Sequence, residues 1–116
     1  MLTLPPSVRI FVATGVTDLR RSVDGLSAMV REGFRLDPLS GHLFLFRNRR
    51  RDRVKILVWD SGGYWVLYKR LERGTFAWPE GDSSSPLEIR SVDLMLLLSG
   101  VDVSHTRRRR WYEKSA

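Results

Sequence analysis

Three runs between residues 42 and 70 constrain the fold more than anything else in the chain. His42–Arg47 (HLFLFR), Arg53–Trp59 (RVKILVW) and Tyr64–Arg70 (YWVLYKR) are dense in β-branched and aromatic residues, and each is short. Side chains of this kind suit a pleated, half-buried surface and cost helix-forming freedom. Asn48–Asp52 separates the first two runs, and Asp60-Ser-Gly-Gly63 separates the second pair with hairpin chemistry. The chain is therefore committed to antiparallel neighbours here. Val8–Val12 alternates after Pro5-Pro6 and reads as a first strand. Gly74–Trp78 reads as a short edge strand closed by Pro79, with Leu87–Ile89 a further strand or a lead-in.

Two helices complete the expectation. Thr17 stands as an N-cap with Asp18 in the first turn, and Leu19, Val23, Leu26, Val30 and Phe34 then recur on one helical face. The spacing predicts a helix over 18–35, halted by Asp37-Pro38, because a residue before proline avoids the α region. Gly25 and Gly33 weaken it by about 1 kcal/mol each relative to alanine. Ser91 caps a short helix, Val92–Ser99, which stops at Gly100. The expected fold is α+β: an antiparallel β-meander of four to five strands, one long helix on its apolar face and a short C-terminal helix. Residues 1–103 form one domain in this reading. Residues 104–116, with the run Arg107–Arg110, form a basic tail expected to be disordered.

Composition enters through charge. Twenty Lys and Arg oppose 13 Asp and Glu in 116 residues, a net charge of +7, and the isoelectric point near 10.8 favours polyanionic partners. Without cysteine there is neither a disulfide scaffold nor a thiolate metal site. No apolar run approaches the length that crosses a bilayer, and the N-terminus lacks a signal-peptide pattern. The expectation is a cytoplasmic protein without membrane contact.

The meander's register decides where the cations lie. If Asn48–Asp52 is a five-residue loop, Arg47 faces Arg53; if Asp60–Gly63 is the next loop, Trp59 faces Tyr64. One face then collects Phe44, Phe46, Val54, Ile56, Val58, Trp65 and Leu67, for the first helix to cover. The other collects Leu43, Leu45, Arg47, Arg53, Lys55, Leu57, Trp59, Tyr64, Val66, Tyr68 and Arg70. On a one-sided sheet such cations are simply solvated, their stems covering Leu and Val. Yet like charges facing one another repel, and Arg forks fit phosphates while Trp and Tyr stack on bases. Arg47, Arg49, Arg50, Arg51, Arg53 and Lys55 put six cations within nine residues. The candidate nucleic-acid site is therefore these six with Trp59, Tyr68, Lys69, Arg70 and Arg73.

Nothing in the chain argues for catalysis. Asp18, Asp24, Asp60 and Glu72 read as a helix start, a surface residue, a turn former and a partner for Arg70 or Arg73, rather than as carboxylates converging on a metal pair. His42 and His105 stand alone, and nucleotide or nucleophile-elbow fingerprints are missing. No enzyme, cofactor or metal is expected.

At its motifs the sequence resembles a known family. Thr17-Asp-Leu-Arg-Arg21, Asp24-Gly-Leu26 and Asp37-Pro-Leu-Ser-Gly41 are similar to the opening half of the small Orf2-like accessory proteins (TnpB) of insertion-sequence family 66. The blocks Leu43–Lys55, Trp59-Asp60, Tyr68–Pro79 and Leu98–Asp102 resemble the family's remaining signatures in order, so that the likeness covers residues 4–103. Only the Pro79–Pro86 loop and the arginine tail depart from the pattern. The resemblance implies a non-enzymatic accessory protein of DNA transposition, working beside a DDE transposase and another product of the same element, with no catalytic residues to carry over. Joined to the basic face, it makes DNA the expected partner. The alternative is an adaptor that docks on the transposase and touches DNA little; a metal-dependent nuclease is a third class without positive support. Oligomeric state is not set by the sequence, although an edge at Phe76–Trp78 offers pairing to another copy.

Overall fold

A computed structural model describes residues 4–100. Five strands form one sheet: β1 (Ile10–Val16), β2 (Leu43–Arg47), β3 (Arg53–Asp60), β4 (Gly63–Arg70) and β5 (Leu87–Ile89), in the order β4-β3-β2-β1-β5. The three strand-like runs are all strands, and β2, β3 and β4 are joined as antiparallel hairpins. The sheet is not a pure meander, however. β1 runs parallel to β2, with Ile10 beside Leu43 and Val12 beside Leu45, while β5 closes the other side of β1 antiparallel. Parallel neighbours need a crossover, and the chain between them supplies it as a helix.

That helix is shorter than its apolar stripe predicts. α1 spans Val23–Ala28 and continues as a π-helical turn over Met29–Gly33. The start moves because Asp18 folds back on itself: its carboxylate accepts the Arg20 N–H at 3.0 Å and its carbonyl accepts the Arg21 N–H at 3.1 Å. An aspartate turn of this kind competes with the first turn of a helix, so entry is deferred to Ser22. At the far end the Phe34 N–H reaches back to the Met29 carbonyl, and Arg35 adopts φ +59°. A left-handed residue ends the helix before the proline does. The stripe still works: Leu26 and Val30 are fully buried, with Leu19, Met29 and Phe34 packed alongside. α2 (Ser91–Ser99) matches its expected range to within one residue and ends at Gly100, φ +71°. The left-handed backbone favours glycine there, and a side chain would place its Cβ 2.7 Å from Leu71 Cδ2, so that the leucine would have to shift.

The larger correction is register. Phe44 pairs with Leu57 and Arg47 with Val54, one residue away from the expected alignment, whereas Trp59 does face Tyr64 and Arg53 faces Arg70. Asn48 causes the slip. Its N–H donates to the Arg53 carbonyl at 3.2 Å, which extends the ladder by one pair and leaves only Arg49–Asp52 as the loop. Its side-chain oxygen accepts the N–H groups of Asp52 and Arg53, at 3.1 and 3.0 Å. Because strand side chains alternate, one residue of slip reassigns all of β2. Phe44, Phe46, Phe11, Ala13 and Leu57 lie under α1. Leu43, Leu45, Val54, Ile56 and Val58 lie on the other face.

That other face is covered too, so the sheet is not one-sided. The expected edge strand at Gly74–Trp78 is instead an irregular strap. Its Phe76 and Trp78 are buried against Val12, Leu45 and Val54 in one cluster with Leu94 and Leu97 of α2. Phe76 N–H donates to the Arg51 carbonyl at 2.7 Å and Trp78 Nε1–H to the Ala13 carbonyl at 2.8 Å. Phe76–Trp78 is consequently no free edge. The arginine tail, 104–116, lies outside the described residues.

Candidate nucleic-acid interface

The β2–β3 loop and the open end of the sheet face under α1 bring most of the expected cations together. Asn48 anchors the loop, and its amide donates to Asp52 at 2.7 Å. That bond, with the nearby Arg53 and Arg50 charges, holds the Asp52 carboxyl below its ordinary range. Arg51 turns the loop with φ +61°. Around this frame Arg49, Arg50, Arg51 and Arg53 are exposed, and among the described residues their guanidinium groups make no ion pair or hydrogen bond. Arg53 lies opposite Arg70 across β3 and β4, a like-charge pair that costs up to about 1 kcal/mol.

Other expected residues are already engaged. Arg47 points away from this face: its guanidinium donates to the carbonyls of Thr14 and Asn48 at 3.1 and 3.2 Å. Burial, then the neighbouring Arg51 and Arg49, lower its pKa, and its Nε is buried without a hydrogen bond. Arg47 therefore fastens β2 to β1. Lys69, on the strap side, donates to the Leu98 carbonyl at the end of α2 at 2.6 Å. Arg70 pairs with Glu72 at 2.9 Å, one of the two pairings expected for that glutamate. Trp59 packs edge-on against Tyr64 with ring centres 5.1 Å apart. Arg73 is exposed beyond the end of β4. Asp60 serves its turn, accepting Trp65 Nε1–H at 3.3 Å.

Between the β1–α1 turn and this part of the sheet lies a cleft of about 680 Å³. Arg49, Arg53, Lys55 and Tyr68 line one side, and Val16 to Arg20 contribute the rest with Asn48. Lys55 sits beside Tyr68 across the hairpin and donates to the Arg21 carbonyl at 3.0 Å, one of its three protons. Arg20 and Asn48 were not among the candidates from sequence. Their signals were present as Asp18-x-Arg20, an aspartate-turn pattern, and as Asn48 with Asp52, a loop with its own side-chain clasp.

Asp18 and Arg20 form a fork, with Oδ2 2.8 Å from Nη2 and Oδ1 3.0 Å from Nε. The side-chain bond to Arg20, followed by the Arg20 N–H, lowers the Asp18 pKa to about 2. A carboxyl depressed in the folded state adds stability above its unfolded value, near 3.8, and loses it as pH falls through about 2. Asp18→Asn is thus expected to flatten the pH dependence of stability between about 4 and 2. Denaturant midpoints of both proteins across that window check this, and parallel curves would refute it.

The family model described as IS66 Orf2 like protein matches residues 8–108. The chain belongs to the IS66 Orf2-like family. Two relatives from Sinorhizobium fredii are similar to it: the uncharacterized protein y4hO, 39% identical over 105 residues with 90% of each chain covered, and the uncharacterized protein y4jC, 35% identical over 102 residues with 88% of this chain and 86% of the relative covered. No solved structure matches the chain. Membership links the IS66 Orf2-like chain to an insertion sequence and suggests an accessory role in transposition, in association with the element's other products. The family is one of accessory proteins rather than a known enzyme family. Among the described residues, no group of three His, Asp or Glu side chains is placed to hold a metal ion, and no helix is long and apolar enough to cross a membrane.

Proposed function

We propose that this IS66 Orf2-like protein is a non-enzymatic DNA-binding accessory factor of transposition. Its contact surface is the Arg49–Arg53 loop and the adjoining cleft. One observation carries the reading: Arg9, Arg20, Arg70 and Arg90 are each neutralised by a carboxylate, whereas Arg49, Arg50, Arg51 and Arg53 crowd one exposed loop with only Asp52 among them. Exposed arginine forks without internal counter-charges match phosphate geometry. Four phosphate contacts on duplex DNA give a slope of log affinity against log salt of about −3.6. A salt titration by fluorescence anisotropy measures it, and a slope shallower than about −2 rejects the loop as the principal phosphate contact.

An adaptor role has its own supporting observation. Val92, Met95 and Leu96 lie on one face of α2 and are 51%, 72% and 50% exposed. Such a stripe on a short helix suits docking on another protein. Met95→Glu separates the two readings: it abolishes transposase pull-down if α2 docks there, while leaving the salt slope for DNA unchanged.

A further inference from the structure

We infer that the cleft beside the loop receives one unpaired nucleotide of DNA, so that the protein binds single-stranded or locally unpaired DNA in preference to flush duplex. The inference rests on the DNA-binding reading and adds the form of DNA to it. The cleft's volume, about 680 Å³, falls within the span of small-molecule pockets, roughly 300–1,000 Å³. Its lining is mixed in the way a nucleotide requires. Tyr68 is 53% exposed and Val16 47% exposed, and both line the cleft together with Arg49, Arg53 and Lys55. Tyr68 makes no ring contact with another aromatic among the described residues, unlike Trp59 and Tyr64, which occupy each other.

A duplex keeps its base faces stacked inside and presents only phosphates and groove edges. It can satisfy the arginines but not Tyr68. An unpaired nucleotide satisfies both: its phosphate lies between Arg49 and Arg53, with a Lys55 proton in reach, and its base lies on the tyrosine. The nucleotide is thereby oriented with its phosphate toward the loop arginines and its base on Tyr68.

The test uses the full chain and four fluorescent probes of one sequence: single-stranded DNA, flush duplex, duplex with a one-nucleotide bulge, and the corresponding single-stranded RNA. Binding is read by anisotropy at fixed salt. Tighter binding of single-stranded and bulged DNA than of flush duplex is expected. Tyr68→Ala should weaken the first two roughly ten- to hundredfold, change the duplex less than twofold, and be rescued by Tyr68→Phe. The inference is overturned if Tyr68→Ala weakens all probes alike or none, if flush duplex binds best, or if RNA binds more tightly than DNA. A silent Tyr68→Ala alongside a duplex slope near the expected value removes the pocket and leaves DNA binding standing. No DNA binding by any probe removes both.

Discussion

Trp78→Ala is expected to destabilise the protein by about 3–5 kcal/mol, the range for removing a large buried aromatic. For roughly 100 ordered residues that lowers the melting temperature by about 12–40 °C. The indole, 6% exposed, fills the space between the sheet and α2. It also donates its only N–H to the Ala13 carbonyl at 2.8 Å, joining residues 65 positions apart. Trp78→Phe separates these contributions. It keeps most of the packing but leaves a buried carbonyl without its donor, which costs about 1–3 kcal/mol. Urea midpoints for both variants check the ordering, and equal midpoints for Trp78→Ala and the parent would show that the strap does not stabilise the core.

Replacing Arg49, Arg50 and Arg51 together by alanine carries the second large effect. Three exposed contacts of at most about 1 kcal/mol each sum to roughly 3 kcal/mol, or about a hundredfold in affinity for DNA at low salt. The salt slope should fall from about −3.6 to about −0.9, because only Arg53 remains of the four. Folding should survive, since the loop is held through Asn48, Asp52 and backbone bonds to Leu71 and Phe76 rather than through the arginine side chains. An unaltered slope in the triple variant would place the phosphate contacts elsewhere and return the adaptor reading to the front.

How far the sequence discloses this arrangement depends on the range of the forces involved. The β3–β4 register was legible because a two-residue turn with Ser61 at φ +46° and Gly62 at φ +90° dictates it locally. The β2–β3 register was not, because it turns on whether Asn48 belongs to strand or loop, which its side-chain bonds to Asp52 and Arg53 decide. α2 was legible to within one residue from Ser91 and Gly100. The first helix was placed correctly by its apolar stripe but overextended, since Asp18 prefers its own turn. The parallel pairing of β1 with β2 and the burial of Phe76 and Trp78 were hidden, being tertiary choices between distant segments.

For the site, the arginine loop could be read directly. Engagement could not: the sequence groups Arg47, Lys69 and Arg70 with the loop, and only folding shows that the chain itself occupies them. The cleft depends on the turn after β1 approaching Arg53 and Tyr68, a juxtaposition that no local pattern encodes.

The position of β1 also has a temporal consequence. Its neighbours come from well-separated parts of the chain: Ile10 aligns with Leu43 on one side and with Ile89 on the other. The β2–β3–β4 hairpins close over short loops and can assemble while the polypeptide is still being synthesised, but β1 gains its second neighbour only after residue 89 has left the ribosome. Until then its outer hydrogen-bonding groups remain open to foreign strands. Nascent copies are therefore most vulnerable to sticking together in the interval between the emergence of β1 and that of residues 87–89.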